Sequence, residues 1–363
     1  MVKCGYCDFN SFADTSQDER RLVMQAMVKE LEARRCRPTT VFMGGGTPTH
    51  LEPDLLEDFV TAIQRLDLSL CEEWTSEANP ESCTVEKLQI LRRGGVTRIS
   101  IGVQSWDAAR LAFLDRPHGP EAAEIALERA KELGFDVSLD LIFGIPGQSL
   151  EEWQVELNRA ISLSPQHLSC YQLTFEQGTK LEAARSRGLV QPASDEVLRD
   201  MLIWTRDRLQ EAGYPAYEIS NFARPGHECS HNIGYWRGQD YVGIGPGAAS
   251  HYQGHRSTNL RPLAAYVDAV ANSNCATFEA EVLSPEQRAR EQVWLGLRMR
   301  AGVDLESTRL RTGFDVVERL LPLAADRWMR HGHLELSGPR LSIPEASVAW
   351  TDEIAATFLG HSV

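Results

Sequence analysis

Residues 137–145 read VSLDLIFGI and decide the fold of this 363-residue chain. A nearly continuous apolar run of this length is typical of a strand in a parallel sheet that helices cover. From the start of the chain to about residue 220, similar short runs alternate with amphipathic helical patterns, as in repeated βα units. We predict six strands, at residues 39–43, 73–77, 96–103, 136–143, 167–174 and 215–220.

The helices between these strands are bounded by residues that favour helix ends. Ser149 and Glu152 have the spacing of a capping box, in which each side chain satisfies a free backbone amide of the other residue, and Ser16 begins another. Pro120 and Gly134 bracket a further helix as first-turn proline and terminal glycine. The alternation predicts an α/β fold with a parallel sheet, which is either a barrel or an open doubly wound sheet. Periodicity does not distinguish between these two.

The composition limits the classes of function. With 42% apolar and 24% charged residues, the chain has the balance of a soluble globular protein with one large and one smaller domain. The formal net charge of -14 repels phosphate backbones and argues against a nucleic-acid partner. No run approaches the roughly 18 to 20 apolar residues of a membrane span, and the start lacks an apolar signal segment. We therefore expect a cytoplasmic location.

Three regions are expected along the chain. Residues 1–220 carry the strand and helix pattern, and residues 221–280 form a connecting segment rich in Gly, aromatic and His residues. Periodicity returns with a helix at 284–300 in the last region, residues 281–363. Two short strands around the turn at residues 337–339 then predict a hairpin beside helices. We expect a small α+β domain of the winged-helix-like kind at this end.

The cysteines indicate a metal or redox site near the start of the chain. Only Cys4 and Cys7 lie close together, and no second C-x-x-C pair is present to complete a four-thiolate zinc site. The pair alone permits a thiol-disulfide couple, half of a metal site or part of an iron-sulfur site. The thiol-disulfide interpretation loses ground because no apolar helix begins directly after the pair. A disulfide framework is not expected from eight thinly spread cysteines, at positions 4, 7, 36, 71, 83, 170, 229 and 275.

Polar and glycine residues stand at the ends of several predicted strands. Residues 44–48, GGGTP, follow the first strand and leave the backbone open to a charged amino-acid group, although a tight turn explains them equally. Glu77, Gln104 and Asp140 end three further strands, where a buried polar group is costly without a partner. Each alone is compatible with a structural role. Together, at equivalent strand ends, they predict one shared pocket.

These segments resemble, in order and spacing, the HemN/HemW family of radical S-adenosylmethionine (SAM) proteins. The resemblance runs from Cys4 to the C-terminal domain. It implies a partial parallel (β/α)6 barrel with SAM and a [4Fe-4S] cluster at the strand carboxyl ends, followed by a HemN-type domain. The matching motifs are CGYCDFNS from Cys4, GGGTPT from Gly44, EANP from Glu77, IGVQS from Ile101, Arg116-x-His118 and LDLIFGIPGQ from Leu139.

The family pattern C-x-x-x-C-x-x-C supplies three thiolates for three irons and leaves one iron open for the amino and carboxylate groups of SAM. Cys4 and Cys7 match the second and third cysteines, and the first would fall just before Met1. We therefore expect that Met1 is an internal codon and that an apolar strand ending in cysteine precedes it. Sequencing upstream tests this expectation.

The resemblance also assigns residues to SAM. Tyr6 resembles the residue that touches adenine, and Gly45, Gly46 and Thr47 resemble the loop that binds the methionine part. The remaining matches to SAM contacts are Glu77, Gln104, Arg116 and Asp140, with Gln172 as a further, weaker match.

Two branches of the family differ in function. HemN, the oxygen-independent coproporphyrinogen III oxidase, shows an additional cysteine where this chain has Phe9. Residues 229–236, CSHNIGYW, instead resemble the H-N-x-x-Y-W pattern of HemW, which implies binding of heme and its delivery to recipient proteins such as respiratory enzymes, with a reductant for the cluster. His231 is then a candidate axial heme ligand, because neutral imidazole suits iron, or else a structural histidine. The open alternatives are a coproporphyrinogen III oxidase and a thiol oxidoreductase that uses Cys4 and Cys7.

Overall fold

The computed structural model describes residues 3–12 and 15–360 and contains a six-stranded sheet in sequential order. The first five strands run parallel, and the last pairs antiparallel with its neighbour. The first and last strands do not pair within the described part of the chain, so the sheet is an open, partial barrel. The strands are β1 (Thr40–Met43), β2 (Glu73–Ala78), β3 (Arg98–Gln104), β4 (Asp136–Phe143), β5 (His167–Gln172) and β6 (Asn221–Ala223).

The sixth strand was wrongly predicted. The chain turns back between Ala216 and Phe222, which form an isolated antiparallel bridge, so residues 221–223 rather than 215–220 pair with β5. This reversal also makes β6 antiparallel, because no crossover helix intervenes between the turn and the strand. The expected strand upstream of Met1 lies outside the described residues.

The capping residues begin helices as predicted. Ser16 with Glu19 and Ser149 with Glu152 form complete capping boxes, and Pro120 occupies the first turn of its helix. The helices that accompany the sheet are α1 (Gln17–Arg34), α2 (Pro53–Gln64), α3 (Val85–Gly94), α4 (Ala108–Phe113), α5 (Pro120–Glu132), α6 (Leu150–Ser162), α7 (Lys180–Ser186) and α8 (Asp195–Glu211).

The side chains of β4 alternate between apolar and polar along the strand. Leu139, Leu141 and Phe143 point outward into the main apolar core, where Phe143 packs against Trp153 of α6. Ser138 and Asp140 point inward and line a cavity. The inner face of the sheet is therefore polar, because it faces a cavity instead of a second layer of helices.

A connecting segment covers the open side of the sheet. It contains α9 (Ser230–Trp236), β7 (Ala249–Tyr252), β8 (His255–Asn259), α10 (Leu263–Ser273) and β9 (Thr277–Val282), and its three strands form an antiparallel sheet. Glu30 of α1 fastens the segment, since its fully buried carboxylate accepts from Gly245 N at 3.0 Å, Asn259 Nδ2 at 2.9 Å and Tyr266 Oη at 2.7 Å. These contacts hold the segment against the first helix of the barrel.

The C-terminal part has its own apolar core, which includes Leu297, Leu320, Leu341 and Ile354. The predicted hairpin is present, while the predicted helix at 284–300 ends earlier, at Gly296. The elements are α11 (Pro285–Gly296), β10 (Val303–Asp304), α12 (Leu305–Thr312), α13 (Val316–Arg319), α14 (Leu321–Ala324), α15 (Asp326–Arg330), β11 (Glu335–Ser337), β12 (Arg340–Ser342) and α16 (Thr351–Ala356).

Four short 3-10 helices complete the described secondary structure, at Pro48–His50, Pro80–Ser82, Glu345–Trp350 and Thr357–Leu359. Among the described helices, none has the length and apolar character required to cross a membrane.

Candidate cofactor site

The inner face of the sheet and the connecting segment enclose a cavity of about 1670 Å³. This volume exceeds the roughly 300–1,000 Å³ of ordinary small-molecule sites. Gly45, Glu77 and Asp140 line it where the parallel strands end, which we call the carboxyl end of the cavity. Thr40 and His231 line it where the strands begin, which we call the amino end. The two ends are separated by about 13 Å along β2, from the strand rise per residue.

The cysteine pair lies at the carboxyl end. Gly5 between the two cysteines donates its amide to Leu114 O at 3.3 Å, and Arg116 Nη1 donates to Cys4 Sγ at 3.3 Å. Arg116 Nη2 also donates to Gly102 O at 2.6 Å and Asn79 Oδ1 at 2.9 Å, which ties the cysteine loop to the ends of β2 and β3. Arg116 therefore connects the loop that carries Cys4 to the strand ends that border the cavity.

The glycine loop exposes its backbone to the cavity. A Cβ on Gly44 would lie 2.5 Å from the Phe42 ring and 2.7 Å from the Glu77 carboxyl carbon, so only glycine is accommodated there. Gly45 and Gly46 have no atom within 4 Å of an added Cβ, and Gly45 has φ of +81°. The loop therefore turns tightly and also presents open main chain, so the two interpretations of the motif are compatible.

Glu77 and Asp140 are acidic groups with few donors. Glu77 accepts from Gly45 N at 3.2 Å, and burial, followed by the charge of Asp140, raises its pKa to about 8. Asp140 accepts from Ser100 Oγ at 2.9 Å, and burial raises the pKa of its carboxyl, which the nearby Ser169 hydroxyl lowers again. Asp140 thus has hydroxyl donors, whereas a cationic or hydroxyl-bearing ligand would supply a further donor to Glu77.

Gln104 and Arg116 meet over a glycine. A Cβ on Gly102 would lie 2.7 Å from Arg116 Nη2 and 2.8 Å from Gln104 Nε2, so the bare backbone makes room for both side chains. Gln104 has φ of +65°, a left-handed conformation that costs a non-glycine residue about 1–2 kcal/mol. Such strain at a strand end is typical of functional sites. Sequence reasoning missed Asn79, the further partner of Arg116, although it stands inside a quoted motif.

Tyr6 lies close to this group, whereas Gln172 lies apart. Tyr6 packs against the apolar cluster that includes Leu114 and Ile142, and burial raises the pKa of its hydroxyl. Gln172 is in register with the outward-facing Phe143 and lines a small cleft against α8. Gln172 therefore lies outside the lining of the large cavity.

The amino end of the cavity is built around α9. The carboxylate of Glu73 accepts from Ser230 N at 3.0 Å and His231 N at 3.1 Å, and Arg98 Nε lies 3.4 Å away. The first turn of α9 has free backbone amides, which a carboxylate satisfies. Glu73 and Arg98 were not among the predicted site residues, because nothing in the sequence connects β2 to a helix more than 150 residues later.

The His231 ring faces the cavity among aromatic side chains. Its Nδ1 lies 2.8 Å from Thr40 Oγ1, and it stacks on Phe42 with centroids 5.0 Å apart and an interplanar angle of 18°. Tyr235 meets the ring edge-on at 5.0 Å. Burial lowers the pKa of His231, so the ring is neutral near pH 7. Among the described residues Nε2 has no hydrogen-bond partner, as a metal-ligating nitrogen requires.

Comparison with known proteins places the chain in a family. Residues 1–160 match the Radical SAM superfamily and residues 283–350 match the HemN C-terminal domain. The heme chaperone HemW of Bacillus subtilis is 33% identical over 368 residues, which cover 99% of this chain and 96% of that protein. This chain is a member of the HemW family of radical SAM proteins.

Other relatives agree. HemW of Escherichia coli is 42% identical over 255 residues, 68% of this chain and 66% of that protein. The structure of coproporphyrinogen III oxidase (HemN) from Escherichia coli superposes with a TM-score of 0.84 over 98% of this chain and 86% of that chain, at 21% identity. At that identity the likeness concerns the fold, and it confirms the predicted radical SAM type of α/β architecture.

Membership of the radical SAM superfamily implies a [4Fe-4S] cluster and SAM. The carboxyl end suits SAM, because open backbone at Gly45 and Gly46 stands beside the under-satisfied carboxylate of Glu77. Arg116 Nε is also buried without a hydrogen-bond partner. The described residues contain no group of three or more metal-ligating side chains. Cys4 and Cys7 are both free thiols in the structure, and the expected third cysteine position lies outside the described residues.

Proposed function

We propose that this chain binds heme at the amino end of its cavity and delivers it to recipient proteins, as the HemW relatives are named heme chaperones. His231 carries the proposal, because it combines a neutral ring, an oriented Nδ1 and a free Nε2 facing the cavity. Histidine nitrogen is a common axial ligand of heme iron.

The surroundings of His231 support a flat apolar ligand. Phe42 and Tyr235 flank the ring and remain 37% and 40% exposed, so aromatic surface is available on the cavity wall. Large aromatic side chains contribute apolar contact area and stacking geometry to such a ligand. The cavity of about 1670 Å³ also leaves room for a ligand larger than ordinary metabolites.

The carboxyl end would hold the radical SAM groups. Cys4 and Cys7 would bind irons of the cluster, Gly45, Gly46 and Thr47 would bind the methionine part of SAM, and the carboxylates beyond them would accept its donors. When bound, a [4Fe-4S] cluster supplies one-electron reduction to SAM. The chain's own contribution is to bind and orient, through Tyr6, Glu77, Gln104, Arg116 and Asp140.

A heme titration of the anaerobically prepared protein tests the proposal. His231→Ala is expected to weaken heme binding at least tenfold and to shift the Soret band, since removal of an axial ligand changes the iron coordination. His331→Ala, which alters an exposed histidine of the C-terminal region, is the matched control and should bind like the wild type. Equal affinity and spectra for His231→Ala and the wild type would remove the ligand assignment.

The alternative to heme delivery is anaerobic oxidation of coproporphyrinogen III, the reaction of HemN, whose structure has the same fold. Phe9, at the position where HemN shows an additional cysteine, lines the cavity and is 57% exposed. Incubation of the protein with the porphyrinogen, SAM and a reductant separates the two functions. Formation of decarboxylated product would contradict the chaperone proposal. A thiol oxidoreductase would instead show a reversible Cys4–Cys7 disulfide and no iron after reconstitution.

The partners follow from the proposed role. A protein that delivers heme needs recipients, such as respiratory enzymes, and a reductant for its cluster. Incubation of the heme-loaded protein with an apo-cytochrome as acceptor is expected to transfer the Soret absorbance to the acceptor. Retention of heme by the donor at acceptor excess would argue against delivery.

A further inference from the structure

A chain of buried hydrogen bonds crosses the inner wall between the two ends of the cavity. Asp140 lies 3.4 Å from Ser138 Oγ, and the same hydroxyl lies 2.7 Å from Nδ1 of His167. Nε2 of His167 lies 2.9 Å from the hydroxyl of Tyr217, which also receives Asn232 Nδ2 at 3.2 Å. Asn232 belongs to α9, so the chain joins the SAM carboxylate to the helix that carries the heme ligand.

The donor and acceptor in each of these hydrogen bonds follow from the residues at the two ends of the hydrogen-bond chain, Asn232 and Asp140. The Asn232 amide nitrogen can only donate, so the Tyr217 oxygen accepts and its hydrogen is left to donate to His167 Nε2. A ring that accepts at Nε2 carries its proton on Nδ1, which donates to the Ser138 oxygen. The Ser138 hydrogen then reaches Asp140. Burial lowers the pKa of His167 well below its ordinary value, which keeps the ring neutral as this arrangement requires.

The second tautomer of His167 gives the chain an alternative direction. With its proton on Nε2 the ring donates to Tyr217, and Nδ1 accepts from Ser138, which then no longer donates to Asp140. The Tyr217 hydrogen would then find no other acceptor among the described residues, and the Tyr217 oxygen would accept from both His167 and Asn232, which weakens the Asn232 contact. An ionised carboxylate at the Asp140 end therefore favours the first direction. A ligand that donates to Asp140 weakens this preference, because its oxygens are then already satisfied.

We propose that Asp140 controls the position of α9 through Ser138, His167 and Tyr217, so that SAM and heme weaken each other's binding. Ser138, His167 and Tyr217 are positioning residues, which touch neither ligand in the proposed arrangement, whereas Asp140 contacts SAM. The inference takes its two ligands from the proposed function, whereas the hydrogen-bond chain belongs to the ligand-free protein.

α9 is short, and its contacts are divided among several elements. His231 contacts Thr40 and Phe42 of β1. Glu73 binds its first turn, and Trp236 at its end packs against the guanidinium of Arg298 at 5.9 Å. The Asn232 contact is the link from this helix to the inner wall near β5. Loss of that contact loosens the seven-residue helix, which is too short to be stable by itself.

Hydrogen exchange of the α9 backbone amides tests, in the ligand-free protein, whether the hydrogen-bond chain from Asp140 to Asn232 stabilises this helix. Tyr217→Phe and Asp140→Ala are each expected to speed exchange of the peptide at residues 229–237 about fivefold, the effect of one lost net hydrogen bond. If both act through one chain, the double variant also exchanges about fivefold faster, whereas independent effects would multiply to about 25-fold. Tyr214→Phe is the matched control, because that buried hydroxyl donates to Pro165 O at 2.7 Å outside the chain.

Two results would overturn the proposal: multiplicative effects in the double variant, or wild-type exchange in Tyr217→Phe. If Asp140→Ala does not fold, Ser138→Ala replaces it in the cycle, because it removes the hydroxyl that joins Asp140 to His167. The 15N spectrum of labelled histidine gives a second readout. The proton of His167 is expected on Nδ1, and a proton on Nε2 would contradict the derived direction.

Titration with both ligands then connects the chain to function. In the anaerobically reconstituted wild type, SAM is expected to weaken heme binding about fivefold, within the usual range of coupling between sites, and Tyr217→Phe should reduce this ratio to about one. Equal heme affinity of the wild type with and without SAM would refute the coupling. If no variant binds heme, the proposed function fails, and the exchange cycle still decides whether the chain controls α9.

Discussion

Glu77 is expected to destabilise the ligand-free protein at alkaline pH. Its pKa rises from 4.5 to about 8, so between these values the folded chain keeps a proton that the unfolded chain has lost. The free energy of unfolding is therefore not reduced by Glu77 below about pH 4.5, and it decreases as the pH rises from 4.5 to 8. The whole shift corresponds to about 5 kcal/mol at 1.36 kcal/mol per pKa unit. The cavity reaches one side of the carboxylate, so we expect about 2–3 kcal/mol after screening.

Glu77→Gln removes the charge and keeps an oxygen for the amide of Gly45. The variant should melt at nearly the same temperature as the wild type at pH 4, where Glu77 is mostly protonated in both the folded and the unfolded chain, and clearly higher at pH 8.5. Glu57→Gln is the control, because that carboxylate is exposed and 3.4 Å from Arg93, and its stability should change little at either pH. A variant that is less stable than the wild type at pH 8.5, or equally shifted at both pH values, would refute the reasoning.

Three further perturbations follow from single contacts. Gly44→Ala is expected to displace the glycine loop, because its Cβ would meet Phe42 at 2.5 Å, and calorimetry should show SAM binding weakened at least tenfold. Glu30→Gln should lower the free energy of unfolding by about 2–4 kcal/mol in a urea titration, since a buried network that accepts several donors is broken. Arg116→Lys loses the planar fork that reaches Cys4 and Gly102 together, so iron retained after reconstitution should fall severalfold by elemental analysis.

The sequence predicts the sheet better than it predicts what covers the sheet. Local signals suffice for β1 to β5 and for the capped helices, because apolar runs and caps act within a few residues. Ser138 and Asp140 alternate with Leu139 and Leu141, so the sequence already indicates that one face of β4 is polar. The reason for this polarity, a cavity on the inner side of the sheet, is seen only in the structure. The sixth strand was misplaced because a tight reversal, instead of a helix, follows Ala216.

The site residues also fall into two groups: those that a sequence motif singles out and those that only contacts between distant residues bring together. Motifs singled out Cys4, the glycine loop and Asp140, because each belongs to a short run of residues that is recognisable along the sequence. The amino end required contacts between residues far apart in the chain, such as Glu73 with His231 and His167 with Tyr217. No spacing rule relates these residues, because only the curved, open sheet and its covering segment bring them together.

A polar inner wall constrains where ligands can act. Serine, aspartate and histidine side chains would be costly in a sealed apolar core, so their presence on the inner face requires a cavity that admits polar groups. His167 is the exception, since it is buried and neutral, and all its bonding capacity is used by Ser138 and Tyr217. A buried ring whose two nitrogens both have fixed partners can still change its tautomer while it keeps both partners. In the proposed coupling, a change at Asp140 reaches α9 through that tautomer.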